Sequence, residues 1–258
     1  MQTDPLGQDD LYQLQDLIDK GFLSMVYRGQ DRVLQRRVAI KVLRETYSND
    51  PQFVEWFKQG AQTVLSVQHP NIVQVYEYRQ IDGKHYIVME LVEGSSLRRY
   101  LRSRGVLAAD RAIIIAHDIA LGLGAVHRRG IVHHRVNPVK ILIGRDGSVK
   151  LTGFGMPLVN VQYYSPEQAE GKIGSATTDV YSLGLVMYEM LTGRLPFDGD
   201  TPVAIAMQHI QEQPTPPGQL NANIPPPLEE IIMRCLEKKP EMRFQDGGQL
   251  AKALENLG

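Results

Sequence analysis

Seven histidines, one cysteine and an arginine-dense stretch are the residues whose types bear most directly on metal, thiol or anion chemistry. The histidines lack the Cys/His ligand spacing of a zinc site. Cys235 stands alone, so the chain has no internal disulfide framework, and a reducing interior is its natural compartment. Arg98, Arg99, Arg102 and Arg104 read as a solvated helix edge rather than a nucleic-acid contact. A formal net charge of -1 gives no global reason to expect nucleic acid or an acidic membrane as partner.

The elements that must position any site divide the chain by periodicity. At 258 residues, 43% hydrophobic and 22% charged, the composition is that of a soluble globular protein with one large domain or two packed lobes. The start, Met1 to Asp10, has no signal-peptide pattern. No run of about 18 apolar residues spans a bilayer, so the expected compartment is the cytoplasm, for the chain as far as Gly258. The first ninety residues read mostly as strand: Val38 to Val42, Ile72 to Tyr76, and His85 to Met89 after an Asp82-Gly83 turn. Between them Phe53, Trp56, Phe57, Val64 and Leu65 mark the buried stripe of a helix, with Gly60 inside it. After Glu93-Gly94 the pattern turns helical, over 108–126, 178–191, 228–236 and 250–257. Pro214, Pro216, Pro217 and the Pro225-Pro226-Pro227 run predict a surface connector. No repeat at roughly 20–50 residues is present.

Several separate motifs then occur in one order, and together they resemble a protein kinase of the bacterial Hanks-type Ser/Thr family, from about Tyr12 to Leu254. Val38-Ala39-Ile40-Lys41 resembles the strand with the phosphate-binding lysine. His69-Pro70-Asn71-Ile72-Val73 resembles the turn after the small-lobe regulatory helix, and Met89-Glu90-Leu91-Val92-Glu93-Gly94 the gatekeeper and hinge. Ser165-Pro166-Glu167, Asp179-Val180-Tyr181-Ser182-Leu183-Gly184 and Cys235-Leu236-Glu237-Lys238-Lys239-Pro240 with Arg243-Phe244 resemble large-lobe signatures. The fold implied is α+β and bilobal: a five-stranded antiparallel sheet and a regulatory helix in a small N-lobe, and a mainly helical C-lobe. The expected organisation is a single domain over 1–258, with the N-lobe at 11–90, the hinge at 91–94 and the C-lobe at 95–258. Structural roles are implied for Val64, His133, Phe154, Glu167, Asp179 and Arg243, with Glu167 pairing to Arg243 and Asp179 organising the catalytic-loop backbone.

The same resemblance shows departures at the positions that carry chemistry. Of the glycine-rich loop over Asp19 to Val26 only Gly21 keeps its glycine. The glutamate that braces the lysine falls on Gly60. His133-His134-Arg135-Val136-Asn137-Pro138-Val139-Lys140 aligns on the catalytic loop, placing Arg135 at the substrate-orienting aspartate, Asn137 at a lysine and Lys140 at a metal-binding asparagine. A guanidinium cannot accept a hydroxyl proton. Gly153-Phe154-Gly155 stands where the family has Asp-Phe-Gly, and magnesium needs oxygen ligands that glycine lacks. The segment from Gly153 to Glu167 is short and has no Ser or Thr before Ser165.

These departures predict a pseudokinase: no catalytic residues, no enzyme activity, no cofactor, Mg2+ binding not expected, and a scaffold that binds a signalling protein, another kinase domain or a second copy of itself. The alternative reading is a switch responding to a nucleotide or anion without metal, held by Gly21, Val26, Ala39, Lys41, Met89, Arg135, Lys140 and Leu142. Metal-independent ATP binding belongs to that alternative. A third reading is an unconventional group-transfer enzyme. No nucleic-acid partner and no transmembrane segment in this chain are expected.

Overall fold

Residues 10–155 and 160–257 are described in the computed structural model of the protein. Met156, Pro157, Leu158 and Val159 of the short segment lie outside them, as do residues 1–9 and Gly258. The described residues fall into two compact units, one holding 10–68, 73–93 and 154–155, the other 69–72, 94–153 and 160–257.

In the first unit, alternation sends successive side chains to opposite faces of each strand. The strands are β1 (Tyr12–Lys20), β2 (Ser24–Asp31), β3 (Arg36–Leu43), β4 (Val75–Ile81) and β5 (Lys84–Glu90), all antiparallel, in the order β1-β2-β3-β5-β4. Val38, Ile40 and Val42 of β3 join Tyr12, Tyr86 and Val88 in a buried cluster, which leaves Ala39 and Lys41 to the other face. A short helix α1 (Glu45–Ser48) precedes α2 (Pro51–Leu65). Asp50 caps α2 by accepting the Gln52 N–H at 2.9 Å, and Pro51 takes the first turn, where no N–H is needed. Phe57, Gly60, Ala61 and Val64 recur at helical spacing and are its buried stripe. Burying Phe57 alone stabilises the unit by about 1.5–3 kcal/mol.

The strand expected over Ile72 to Tyr76 begins only at Val75. The Ile72 N–H turns back to the His69 carbonyl at 3.1 Å, and Ile72 makes an isolated parallel bridge to Leu151 instead. The turn after His69-Pro70 takes the backbone groups a ladder would have used.

The second unit contains β6 (Gly94–Ser96), α3 (Leu97–Arg104), α4 (Ala109–His127), β7 (Ile141–Gly144), β8 (Val149–Leu151), α5 (Pro166–Ala169), α6 (Ala176–Thr192), α7 (Pro202–Gln211), α8 (Pro226–Cys235) and α9 (Gly247–Glu255). Helix α6 is buried all round, from Thr177 to Leu191, so apolar residues occur on every face and its carboxylates, Asp179 and Glu189, are hydrogen-bonded. The proline run is not wholly connector: Pro226 and Pro227 form the first turn of α8, where the missing N–H costs nothing. Among the described residues no helix is long and apolar enough to cross a membrane. A five-stranded antiparallel sheet in the first unit and a mainly helical second unit are the α+β elements that the resemblance implies.

Candidate functional site

In the first unit the candidate residues lie on the sheet by register. Val26 pairs with Lys41 across β2 and β3, and Ala39 with Met89 across β3 and β5. Val26, Ala39, Lys41 and Met89 therefore sit within two residues of one another across three adjacent strands. The Lys41 ammonium lies 5.4 Å from the centroid of the Phe57 ring of α2, a distance at which a cation is attracted to the ring face.

The turn between β1 and β2 is tight. The Gly21 N–H donates to the Ser24 carbonyl at 2.9 Å, and the Gly21 carbonyl accepts from the Arg44 guanidinium at 2.6 Å. Phe22 at its tip is exposed, with its ring 5.5 Å from that of Tyr47.

Gly60 is the position where the resemblance puts a glutamate. A Cβ there would stand 2.5 Å from the Phe154 carbonyl oxygen, and a Cβ at Gly155 would stand 2.2 Å from the Gly60 Cα. Helix α2 and the 154–155 turn thus meet backbone to backbone, a contact that only glycine at both positions allows. A carboxylate side chain cannot be added to this helix without moving it.

The second unit holds the loop from His133 to Lys140. Asp179, fully buried on α6, accepts the backbone N–H groups of His133 and His134, each at 2.7 Å, and hydrogen-bonds His127 Nε2 at 2.9 Å. His127 Nδ1 accepts the Gly247 N–H, so the proton lies on Nε2 and donates to the carboxylate. His134 takes a positive φ of 63°, a conformation costing a non-glycine residue about 1–3 kcal/mol that the Asp179 clamp supports. The His133 ring accepts the Arg135 N–H on Nδ1 and so donates from Nε2 to the Thr152 carbonyl at 3.0 Å. Burial pushes its pKa down to about 4, so the ring is neutral.

Arg135 follows that clamp. Burial pushes its guanidinium below the ordinary arginine value, against the pull of Tyr164, and arginine stays charged even so. Asn137 braces the loop: its amide donates to the Arg135 carbonyl and its side-chain oxygen accepts the Val139 N–H, both at 2.9 Å. This bracing role was not legible in the sequence, where Asn137 registered only as a replaced lysine.

Lys140 is anchored through its backbone to Asn137 and Thr152. Its side chain fills the space beside Gly153, where a Cβ would stand 2.7 Å from Lys140 Cδ. Gly153 has a φ of 90°, in the region that favours glycine. Leu142 on β7 pairs with Ser96 and Lys150. Further along, Arg243, 1% exposed, forks onto Glu167 with two bonds of 2.9 Å. Burial pushes the Glu167 carboxyl up, but the Arg243 and Thr178 hydrogen bonds outweigh it and hold it below its ordinary value.

Magnesium calls for oxygen ligands near octahedral geometry. Lys140 and Gly153, at the two positions where the resemblance implies metal ligands, offer none. The side chains at these positions do not fit the ion.

The protein kinase domain family matches residues 12–254. A probable serine/threonine-protein kinase of Clostridium acetobutylicum is 37% identical over 260 residues, covering 95% of this chain and 40% of the relative. PknB, a serine/threonine-protein kinase of Mycolicibacterium smegmatis, is 38% identical over 96% of this chain and 43% of its own length. PrkC, a serine/threonine-protein kinase of Bacillus subtilis, is 38% identical over 91% of this chain and 38% of its own length. The chain thus spans about two fifths of the relatives it matches. The kinase domain of PknI from Mycobacterium tuberculosis superimposes with a TM-score of 0.82 at 23% identity, with 99% of both chains covered.

These relatives correct four expectations. Proteins 37–38% identical over nearly all of this chain are named serine/threonine-protein kinases. That overturns the pseudokinase reading, the scaffold or metal-free switch as the chain's function, and the expectation that it is not an enzyme. The expectation of no cofactor falls with them, because kinases of this family use ATP with Mg2+. The departures at Gly60, Arg135, Lys140 and Gly153 are four positions in a chain that keeps its likeness to named kinases along nearly its whole length.

Proposed function

This chain belongs to the protein kinase domain family, and on that premise we propose that it is a transferase carrying the γ-phosphoryl group of ATP to serine or threonine hydroxyls of proteins. The observation that carries the reading is the identity to named serine/threonine-protein kinases across nearly the full chain. In the reaction the bond from the γ-phosphorus to the bridging oxygen breaks and a bond to the hydroxyl oxygen forms. ADP leaves, and the hydroxyl proton passes to solvent.

Such transfer runs through a loose transition state with charge spread over the phosphoryl oxygens, so positioning and electrostatics do most of the work. On this reading Lys41 binds nucleotide phosphate, and Val26, Ala39 and Met89 supply apolar contact for the base. Arg135 cannot act as a base. Its permanent charge suits stabilisation of the phosphoryl oxygens, a role in which arginine raises rates by about 10³–10⁵ elsewhere. Lys140 adds a second cation to the same loop. Gly60 and Gly153 serve as close-packing positions, and Glu167, Asp179, Arg243, His133, Phe154 and Val64 as supports.

We propose a single kinase domain over 1–258, with 11–90, 91–94 and 95–258 as its parts. The expected compartment is the cytoplasm, where free, buried Cys235 stays reduced. Its partners are protein substrates and other signalling proteins, a second kinase domain among them; the support for these is the family alone. The transfer reading is tested with ATP labelled at the γ-phosphoryl, Mg2+ and peptides carrying Ser, Thr or Tyr as the sole hydroxyl. Label on the Ser and Thr peptides is the expected result. Label on none, or on Tyr alone, contradicts it.

A further inference from the structure

The turn between β1 and β2, Gly21-Phe22-Leu23, is tied to the chain that follows β3 at three points, all within the first unit. The Arg44 N–H donates to the Leu23 carbonyl at 3.0 Å, and the Arg44 guanidinium donates to the Gly21 carbonyl at 2.6 Å. The third tie is the ring of Phe22 against that of Tyr47 in α1. Tyr47 in turn meets Phe53 at 4.8 Å, and Phe53 meets Trp56 at 5.3 Å. A row of four rings thus runs from the tip of the turn onto α2.

These ties differ in kind. Leu23 is buried and anchors the turn from beneath, whereas Phe22 is 69% exposed, so its ring contact opens with little loss of buried area. Arg44 enters no salt bridge among the described residues, and the Gly21 carbonyl is the one acceptor of its side chain there. Its Nε is buried without a partner, which lowers stability. What this arrangement gains is a fixed turn. The Tyr47 hydroxyl enters no hydrogen bond among the described residues, so its ring is the part that holds Phe22.

The turn aligns on the family's glycine-rich loop, which covers nucleotide phosphates in kinases. Resting on the transfer reading, we propose that Arg44 and Tyr47 are positioning residues that hold this turn ordered before nucleotide arrives and so strengthen binding of the phosphate part of ATP. Gly21 is the only glycine left at the loop's glycine positions, so the turn has little backbone freedom with which to mould itself around phosphates. A turn already ordered loses less entropy on binding. Lys41 lies three residues before Arg44 and pairs with Val26 just past the turn. The strand that brings the phosphate-binding lysine therefore also leads into the residues that fix the turn.

The test compares the full chain with Arg44→Met, Tyr47→Ala and Tyr47→Phe. One readout is hydrogen exchange, without nucleotide, of the Gly21 amide, which is held by the Ser24 carbonyl. The other is titration with ATP and with adenosine, which lacks the phosphates. Arg44→Met and Tyr47→Ala should each speed exchange at Gly21 by at least about tenfold. Each should also weaken ATP by about tenfold while adenosine stays within about twofold. Tyr47→Phe keeps the ring and should match the unaltered chain in both readouts. Unchanged exchange in the first two variants overturns the proposal, as does a Tyr47→Phe variant as impaired as Tyr47→Ala. Equal weakening of ATP and adenosine also overturns it, since general loosening of the unit would give that result. If the unaltered chain binds ATP and the variants bind it equally well, the positioning role alone falls. If the unaltered chain binds no ATP, that role falls together with the transfer reading.

Discussion

Glu167 and Arg243 meet through two parallel bonds, with the guanidinium withdrawn from water. Removing one partner strands the other, so Glu167→Gln should cost about 3–5 kcal/mol, read as a lower urea midpoint for the helical unit. The pH dependence follows from the same residues. The folded pKa of Glu167 is depressed, so its contribution is present above the ordinary carboxylate range and is lost as pH falls through the folded value. His133 and His209 are held neutral by burial, each with its pKa pushed down to about 4 from 6.5. The unfolded chain takes up these protons first, so their contribution is present above about pH 6.5 and is lost as pH falls toward 4. Unfolding free energies from urea titrations should therefore fall between pH 7 and pH 5, by on the order of 1–2 kcal/mol for each histidine. A flat profile would show that these imidazoles are not buried neutral. The pairing of Glu167 with Arg243 and the role of Asp179 came from the family resemblance of their motifs, not from composition or periodicity. The Asn137 brace and the Lys140 side chain beside Gly153 were not legible in the sequence, since both depend on loop backbone geometry.

At the scale of elements, the contact of α2 with the 154–155 turn rests on Gly60 and Gly155. Alanine at 60 gains about 1 kcal/mol of helix propensity, but its Cβ meets a backbone oxygen that cannot swing aside, and such overpacking costs about 1–3 kcal/mol. The steric term wins, so Gly60→Ala should lower the melting temperature and speed hydrogen exchange in the last turns of α2. Gly60→Glu should lower it further. An unchanged melt would mean the helix has room to move. Gly153→Asp faces a different obstacle. The Lys140 side chain can bend away, but a φ of 90° costs a non-glycine residue about 1–3 kcal/mol. Adding Lys140→Ala should recover only the steric part of the lost stability, which a double-mutant cycle measures. Helix α2 and strand β3 were legible because three or more apolar residues kept one period. The start of β4 was not, because the turn at His69 takes over the Ile72 backbone; nor was the first turn of α8, where proline is tolerated for a reason composition does not reveal.

For the whole molecule, the order of motifs from Tyr12 to Leu254 foretold the fold and its extent, and the family match covers the same 12–254 span. Function was less legible. Arg135, Lys140 and Gly153 were read as lost chemistry, whereas the relatives of the entire chain are named kinases. The triad of Arg98, Tyr163 and Glu189 was also hidden, because its members come from elements far apart in sequence and only the fold brings the first two onto one carboxylate. Arg98, which reads in sequence as part of a solvated helix edge, pairs with Glu189 instead. The central claim is phosphoryl transfer. It is tested most directly by the intact mass of a purified protein substrate after incubation with this chain, ATP and Mg2+, with fragmentation to place the modification. The account predicts added phosphoryl groups on Ser or Thr, reduced at least about tenfold by Lys41→Met. An unmodified substrate, or equal modification by the Lys41→Met variant, would contradict it.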